Sequence, residues 1–218
     1  MNLSRRLSAI HDHLPKGALL ADIGTDHGLL MIKAIQSGQA AYAYGLDINP
    51  DPLQQAHDNV VRFSMEDKIE LILSDGLASF TKEANAFVLA GMGAETIWGI
   101  MSDYDFKSDD TIIIQSNTKH YWLRHTLNKE GFKIIKEIYL LDQGKDVFIQ
   151  IVKKVEPEAM SECQAYLGAY LLDHPSDEFN AYLEQRMNYL DKIKHNNTFL
   201  LAEYECIIKQ IKKGATHE

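Results

Sequence analysis

Asp22, Asp26 and Asp47, set among Gly24 and Gly28, have the types and spacing to hold a nucleoside. The run Asp22-Ile23-Gly24-Thr25-Asp26-His27-Gly28 follows an apolar segment, Ala18 to Ile23, and leads into a helical pattern, which reads as a strand, a tight turn and a helix start. The two glycines let the backbone come close to a ligand, and the free amides of the helix start offer donors. Asp47 lies 23 residues beyond Gly24, after a second apolar run (Tyr42 to Leu46), where its carboxylate can accept from both ribose hydroxyls. A dinucleotide site would have a third glycine instead of a carboxylate in the turn, because Asp26 repels a pyrophosphate. A nucleoside carrying a cation suits the turn, so S-adenosyl-L-methionine is the expected cofactor. Asp22, Gly24, Thr25 and Gly28 would meet its methionine part, and Asp47 with Ile48 its ribose.

The same crevice should collect the ends of the following strands. Ile69 to Leu73 ends in Ser74-Asp75-Gly76, where Asp75 either faces an adenine amino group or simply makes an Asp-Gly turn. Phe87 to Ala90 ends in Gly91-Met92-Gly93, and Thr111 to Gln115 ends in Ser116-Asn117. Ligands of open α/β sheets bind outside the carboxyl ends of the strands, which places Asp75, Gly76, Ala90, Gly91 and Met92 beside the first turn.

These strands alternate with helical patterns at Leu3 to Leu14, Gly28 to Ser37, Asn49 to Ser64, Glu95 to Met101 and Trp122 to Glu130. Phe132 to Leu141 and Asp146 to Val152 are joined by four residues, too few for a crossover, so they form an antiparallel hairpin. From Glu156 the period is helical only. One helix is expected from Glu158 to Leu172, and two apolar stripes (Leu183, Met187, Leu190, Ile193 and Leu200, Tyr204, Ile207, Ile211) make a helical hairpin. The fold expected is α/β: a Rossmann-like sheet of the class I methyltransferase type ending in an antiparallel hairpin, then a coiled-coil-like helical domain. The boundary falls between residues 1–155 and 156–218. The helical tail could bind substrate, pack on the core or form a weak dimer.

The chain has 218 residues, 45% of them hydrophobic, and a formal charge of −9, so nucleic-acid binding requires a local basic patch. The amino terminus has no apolar leader pattern and no run of eighteen apolar residues occurs, which points to a cytoplasmic protein without membrane partners. Cys163 and Cys206 are too far apart for a zinc site and sit in apolar helical patterns, where core packing is expected. The nine histidines form no metal-like cluster, so no metal is expected.

Asn2-Leu3-Ser4-Arg5-Arg6-Leu7, the Asp-His of the first turn, Ala90-Gly91-Met92-Gly93, Gln115-Ser116-Asn117, Leu123-Arg124, Gly144-Lys145 and Phe179-Asn180-Ala181-Tyr182-Leu183 resemble the bacterial tRNA methyltransferase family that forms 1-methyladenosine at position 22. The resemblance spans nearly the whole chain, with departures at Gly28, Ala94 and Ser116. It implies methyl transfer from S-adenosyl-L-methionine to an adenine nitrogen of tRNA, with the helical hairpin helping to hold the RNA. Adenine N1 already has a lone pair, so catalysis would be in-line placement plus stabilisation of the cation that develops on the ring. Asp26 is the candidate for that charge, Asn117 or His27 for fixing the base, and Arg5, Arg6, Lys119 and Arg124 for RNA contacts. A methyltransferase of a small molecule or protein, and a non-catalytic cofactor-binding module with a partner-binding tail, are the alternatives.

Overall fold

The computed structural model describes residues 2–215. Five parallel strands, β1 (Ala18–Ile23), β2 (Ala40–Asp47), β3 (Ile69–Leu73), β4 (Ala86–Met92) and β5 (Thr111–Ser116), are extended by β6 (Phe132–Asp142) and β7 (Lys145–Lys154) into one sheet of order β3-β2-β1-β4-β5-β7-β6. β7 runs antiparallel to both β5 and β6. The two turn residues of that hairpin, Gln143 and Gly144, both have positive φ (50° and 76°), the turn that suits the strands' twist.

The parallel strands are apolar on both faces because helices cover both. Ala18, Leu20, Val88 and Ile113 point to one side, against α1 (Arg5–His11), α2 (Leu29–Ser37) and α3 (Pro50–Arg62). Ala21, Ile23, Phe87, Leu89, Ile112 and Ile114 point to the other, against α4 (Ala94–Ser102) and α5 (His120–Lys129). The first helix is shorter than the sequence pattern suggests. Ser4 Oγ caps it by accepting from Leu7 N, and it ends at His11, after which Leu14 is still buried.

Beyond β7 the chain forms α6 (Glu162–Leu167), α7 (Ala169–Asp173), α8 (Asp177–Ile193), a 3₁₀ turn (Lys194–Asn196) and α9 (Thr198–Ala215). The expected helix from Glu158 to Leu172 is therefore two helices, broken at Gly168 (φ 88°). A Cβ on Gly168 would lie 2.1 Å from Glu137 Oε2, so glycine is what lets α6 and α7 close over a buried ion pair. The hairpin's side chains alternate in what they face. Tyr139 and Phe148 pack with Leu171, Phe179, Leu183 and Ile207, whereas Leu140 and Val147 join the cluster under α1. Cys163 and Cys206, expected as core packing, are joined as a disulfide between α6 and α9, with Cα atoms 5.2 Å apart. No helix among the described residues is long and apolar enough to cross a membrane, and no described group of three or more His, Cys, Asp or Glu side chains could hold a metal ion.

Candidate functional site

The strand order reverses between β1 and β4, and a crevice opens at their carboxyl ends. Gly24 (φ 72°) turns the chain out of β1, and the amides of Gly24 and Thr25 donate to Leu46 O at the end of β2 (2.7 and 3.1 Å). A Cβ on Gly24 would lie 2.4 Å from Met92 Cε, so the side chain of Met92 fills the space beside this glycine, and the left-handed φ is what favours glycine here. Asp26 is also left-handed (φ 51°), a conformation that Asp tolerates, and its carboxylate points into solvent with the His27 ring Nε2 3.5 Å away. Gly28 (φ 70°) occupies the N-cap of α2.

Asp22 is the buried member of this turn. One of its oxygens accepts from Thr25 Oγ1 at 3.0 Å, and burial pushes its pKa up from 3.8 to about 6, against the opposing effect of the Thr25 bond and the nearby Arg6 charge. Asp22, Gly24, Thr25, Asp26 and His27 line a cavity of about 290 Å³, closed on the far side by Arg6, Ala90, Gly91 and Met92. Asp47, Ile48, Asp75 and Gly76 lie outside this cavity, at the neighbouring strand ends. Asp47 is half-buried at the end of β2 with Oδ1 accepting from Asn49 N (2.9 Å), while Ile48 and Leu73 stand 58% and 59% exposed, an apolar surface suited to a flat ligand. Gly76 (φ 56°) makes the turn after β3, with Ile100 directly behind it.

A second cavity, of about 1090 Å³, opens on the other side of Gly91. Arg6, Leu7, Leu29 and Gly91 line both and form the wall between them. The far wall of the larger cleft comes from the β6–β7 turn (Asp142 to Asp146) and from the helices after β7, through Tyr166, Tyr182, Arg186, Phe199 and Glu203. Tyr121, Tyr166 and Phe199 form an aromatic cluster there, with ring centroids 4.5 to 5.0 Å apart. Lys119 pairs with Glu95, and Arg186 is held on Glu203 by two hydrogen bonds (2.7 and 2.8 Å). His120 packs on Phe148 with the rings tilted at 49°, and its burial lowers its pKa to about 4, so it is neutral at pH 7.

Asn117, at the end of β5, is exposed and reaches Gly91 O with Nδ2 (2.7 Å). The cations expected to touch RNA are placed differently from one another. Arg5 is exposed but bound to Glu178 and to Leu141 O, which ties α1 to β6 and α8. Arg6 turns inward to Gln115. Arg124 is not a surface cation: it is 1% exposed, paired with Glu137, and donates to the carbonyls of Ala165 and Tyr166. Its guanidinium fastens α5 and β6 to α6, a structural task that a Leu-Arg motif gives no local sign of. Sequence reasoning also missed Gln115, Arg186, Glu203 and the aromatic cluster as members of one cleft, because each faces partners more than ten residues away.

Residues 3–149 match the family model described as a methyltransferase domain. The chain is 32% identical, over 148 residues, to the tRNA (adenine(22)-N(1))-methyltransferase of Bacillus subtilis; the match takes in 66% of this chain and spans 62% of that relative's length. Among solved structures, Sp1610 of Streptococcus pneumoniae in complex with S-adenosyl-L-methionine superimposes with a TM-score of 0.88 at 27% identity, covering 96% of this chain and 99% of that one. M. capricolum TrmK in complex with S-adenosyl-homocysteine gives 0.81 at 26%, covering 97% and 96%.

Proposed function

We propose, from the premise that this chain belongs to the methyltransferase domain family, that it transfers a methyl group from S-adenosyl-L-methionine to N1 of an adenine in tRNA, at position 22 by likeness to the Bacillus subtilis enzyme. The observation that carries the reading is the shared wall: a small cavity under the Gly24 turn and a large cleft beside the helical tail meet at Arg6, Leu7, Leu29 and Gly91. A methyl donor held in the first lies against a nucleobase held in the second.

The residues present fit the cofactor. Asp22 is a buried carboxylate with an oxygen left to accept from an ammonium, and the Gly24 cradle is one that a Cβ would fill. Asp47 would accept from the ribose, Ile48 and Leu73 would cover the adenine, and Asp75 would take its amino group. When bound, S-adenosyl-L-methionine supplies an electrophilic methyl group. The protein's own part is placement and charge. Asn117 and the Gly91 carbonyl offer the donor and acceptor pattern that fixes a base edge, and Asp26 with His27 stands at the cavity mouth, where a carboxylate stabilises a developing ring cation.

The larger cleft suits RNA. Its lining holds the cations Arg6, Lys119, Lys145 and Arg186 beside the carboxylates Asp142, Asp146 and Glu203, with Arg124 buried and neutralised by Glu137, so the cleft is locally far less acidic than a chain of net charge −9. Tyr121, Tyr166 and Phe199 give an unstacked base a surface to lie on. The boundary near residue 155 then separates a cofactor-holding part from a helical part that completes the RNA cleft. The test is nucleoside analysis by mass spectrometry of undermethylated bacterial tRNA, before and after incubation with cofactor. The expected product is 1-methyladenosine; methyl transfer to small acceptors or protein alone, or none at all, overturns the reading.

A further inference from the structure

Gln115 is 2% exposed and its amide is saturated. Oε1 accepts from Arg6 Nη1 (2.7 Å) and from Gly91 N (3.1 Å), and Nε2 donates to Ser116 O and to Asn117 Oδ1 (3.0 Å each). A primary amide has two acceptor sites and two donor hydrogens, so all four are in use and the orientation is unambiguous. A flipped amide would set Nε2 against two donors. Because Gln115 presents an N–H, Asn117 must answer with Oδ1, and its own Nδ2 is then the atom that donates to Gly91 O. Asn117 keeps one N–H and one lone pair for a ligand, in an order dictated from behind.

The order begins at Arg6. Its bond to Gln115 is the shortest of the four and the one assisted by charge. Its Nη1 also lies 3.0 Å from where a Cβ on Gly91 would stand, so the guanidinium passes over a residue whose φ of 82° and missing side chain make room for it. Arg5 next to it is exposed and engaged with Glu178, whereas Arg6 is half-buried and reaches a residue 109 positions away.

We infer that Arg6 is a positioning residue: through Gln115 it sets the direction of the Asn117 amide and holds the Gly91 carbonyl, and so fixes which edge of a base the site accepts. This rests on the reading of Asn117 and Gly91 as the base-fixing groups. It differs from Arg6 as a phosphate contact or as a ligand of the cofactor carboxylate, and the three are separable.

Arg6→Met and Gln115→Glu are compared with the parent in methyl transfer to tRNA, in cofactor calorimetry and in the ¹⁵N spectrum of the side-chain amides. Gln115→Glu keeps the Arg6 bond but offers Asn117 only acceptors, so the Asn117 amide must turn over. Arg6→Met should lower kcat about tenfold or more with cofactor Kd and KM for tRNA within about twofold, and Gln115→Glu should lower kcat as far as Asn117→Ala does. A loss confined to KM with a shallower salt dependence means a phosphate contact, a loss of cofactor affinity means a carboxylate ligand, and unchanged kinetics means neither; each overturns the inference. The amide resonances of Gln115 and Asn117 should move in Arg6→Met whether or not tRNA is the substrate. Unmoved resonances overturn the relay, and failure of the parent to methylate tRNA overturns only the functional reading.

Discussion

Replacing Asp22 by asparagine should stabilise the ligand-free protein at neutral pH and weaken its hold on the cofactor. The carboxyl is buried and titrates near 6 instead of 3.8, because burial disfavours the charged form. Below about pH 3 it is protonated in the folded and unfolded chains alike and makes no difference to stability. As pH rises from 4 to 6 the unfolded chain ionises first, so stability falls through that window and the full cost is present above it. At about 1.4 kcal/mol for each tenfold difference in proton affinity, the cost is about 3 kcal/mol. Asparagine keeps an acceptor for Thr25 Oγ1, so Asp22→Asn should gain about 2–3 kcal/mol at pH 7 and nothing below about pH 3. Binding should show the converse. If the ionised form holds the cofactor ammonium, the parent's affinity falls about tenfold for each pH unit below 6 and is flat above it, with about one proton released on binding at pH 5. Urea unfolding across pH 3–8 and calorimetry in buffers of different ionisation enthalpy read both. Cofactor affinity independent of pH between 5 and 7, or an asparagine variant no more stable at pH 7, would show that Asp22 is already ionised or is not in the site.

Asp47→Ala should weaken cofactor binding by about 1.5–3 kcal/mol, the range for a charge-assisted hydrogen bond, and unchanged affinity in the folded variant removes Asp47 from the site. Asp26→Asn suits the left-handed turn, so it should lower kcat about a hundredfold, about 2.7 kcal/mol in the barrier, without altering cofactor affinity; single-turnover transfer at saturating cofactor shows whether the loss lies in the chemical step. Gly168→Ala drives a methyl into Glu137 and should destabilise the fold by about 3 kcal/mol or more, since the Arg124–Glu137 pair must shift; a melting temperature unchanged from the parent contradicts that packing. Ending the chain after Val155 should abolish tRNA binding in low-salt gel shifts, and it should also lower the melting temperature, because Arg124 loses the Ala165 and Tyr166 carbonyls and Tyr139 and Phe148 lose their cover.

What could be read from the sequence is what local chemistry determines. Glycine after an apolar run marked the turn at Gly24, and Gly28 the helix start beyond it, both with positive φ, and a four-residue link required the β6–β7 hairpin. The crevice at the strand ends followed from alternation alone. What could not be read depends on distant partners. Gly168 breaks a helix for the sake of Glu137, 31 positions earlier; Arg124 is buried because β6 brings Glu137 to it; and Cys163 meets Cys206 only once α9 folds back over α6. Asp26 was legible as a turn carboxylate, but its exposure follows from a left-handed φ that the sequence does not encode.

The acidity of the chain and the proposed RNA substrate are reconciled by distance. Charge screening acts over about 8–10 Å at physiological salt, so an approaching RNA phosphate responds to the groups lining the cleft more than to the net −9. Within the cleft Glu203 and Arg186 neutralise each other, and Asp146 accepts from Tyr139 Oη at 2.7 Å. His120 adds no charge because it is buried and neutral. Lys145, beside the β6–β7 turn, stands on the far wall of the cleft, across from Gly91. The antiparallel hairpin that closes the sheet is thus also the element that brings a cation to the substrate side. The helices packed on Tyr139 and Phe148 complete the same wall with aromatic rings. A parallel sheet with helices on both faces holds a cofactor at its strand ends but has no second wall; here the wall is built from the hairpin and from the chain that follows it.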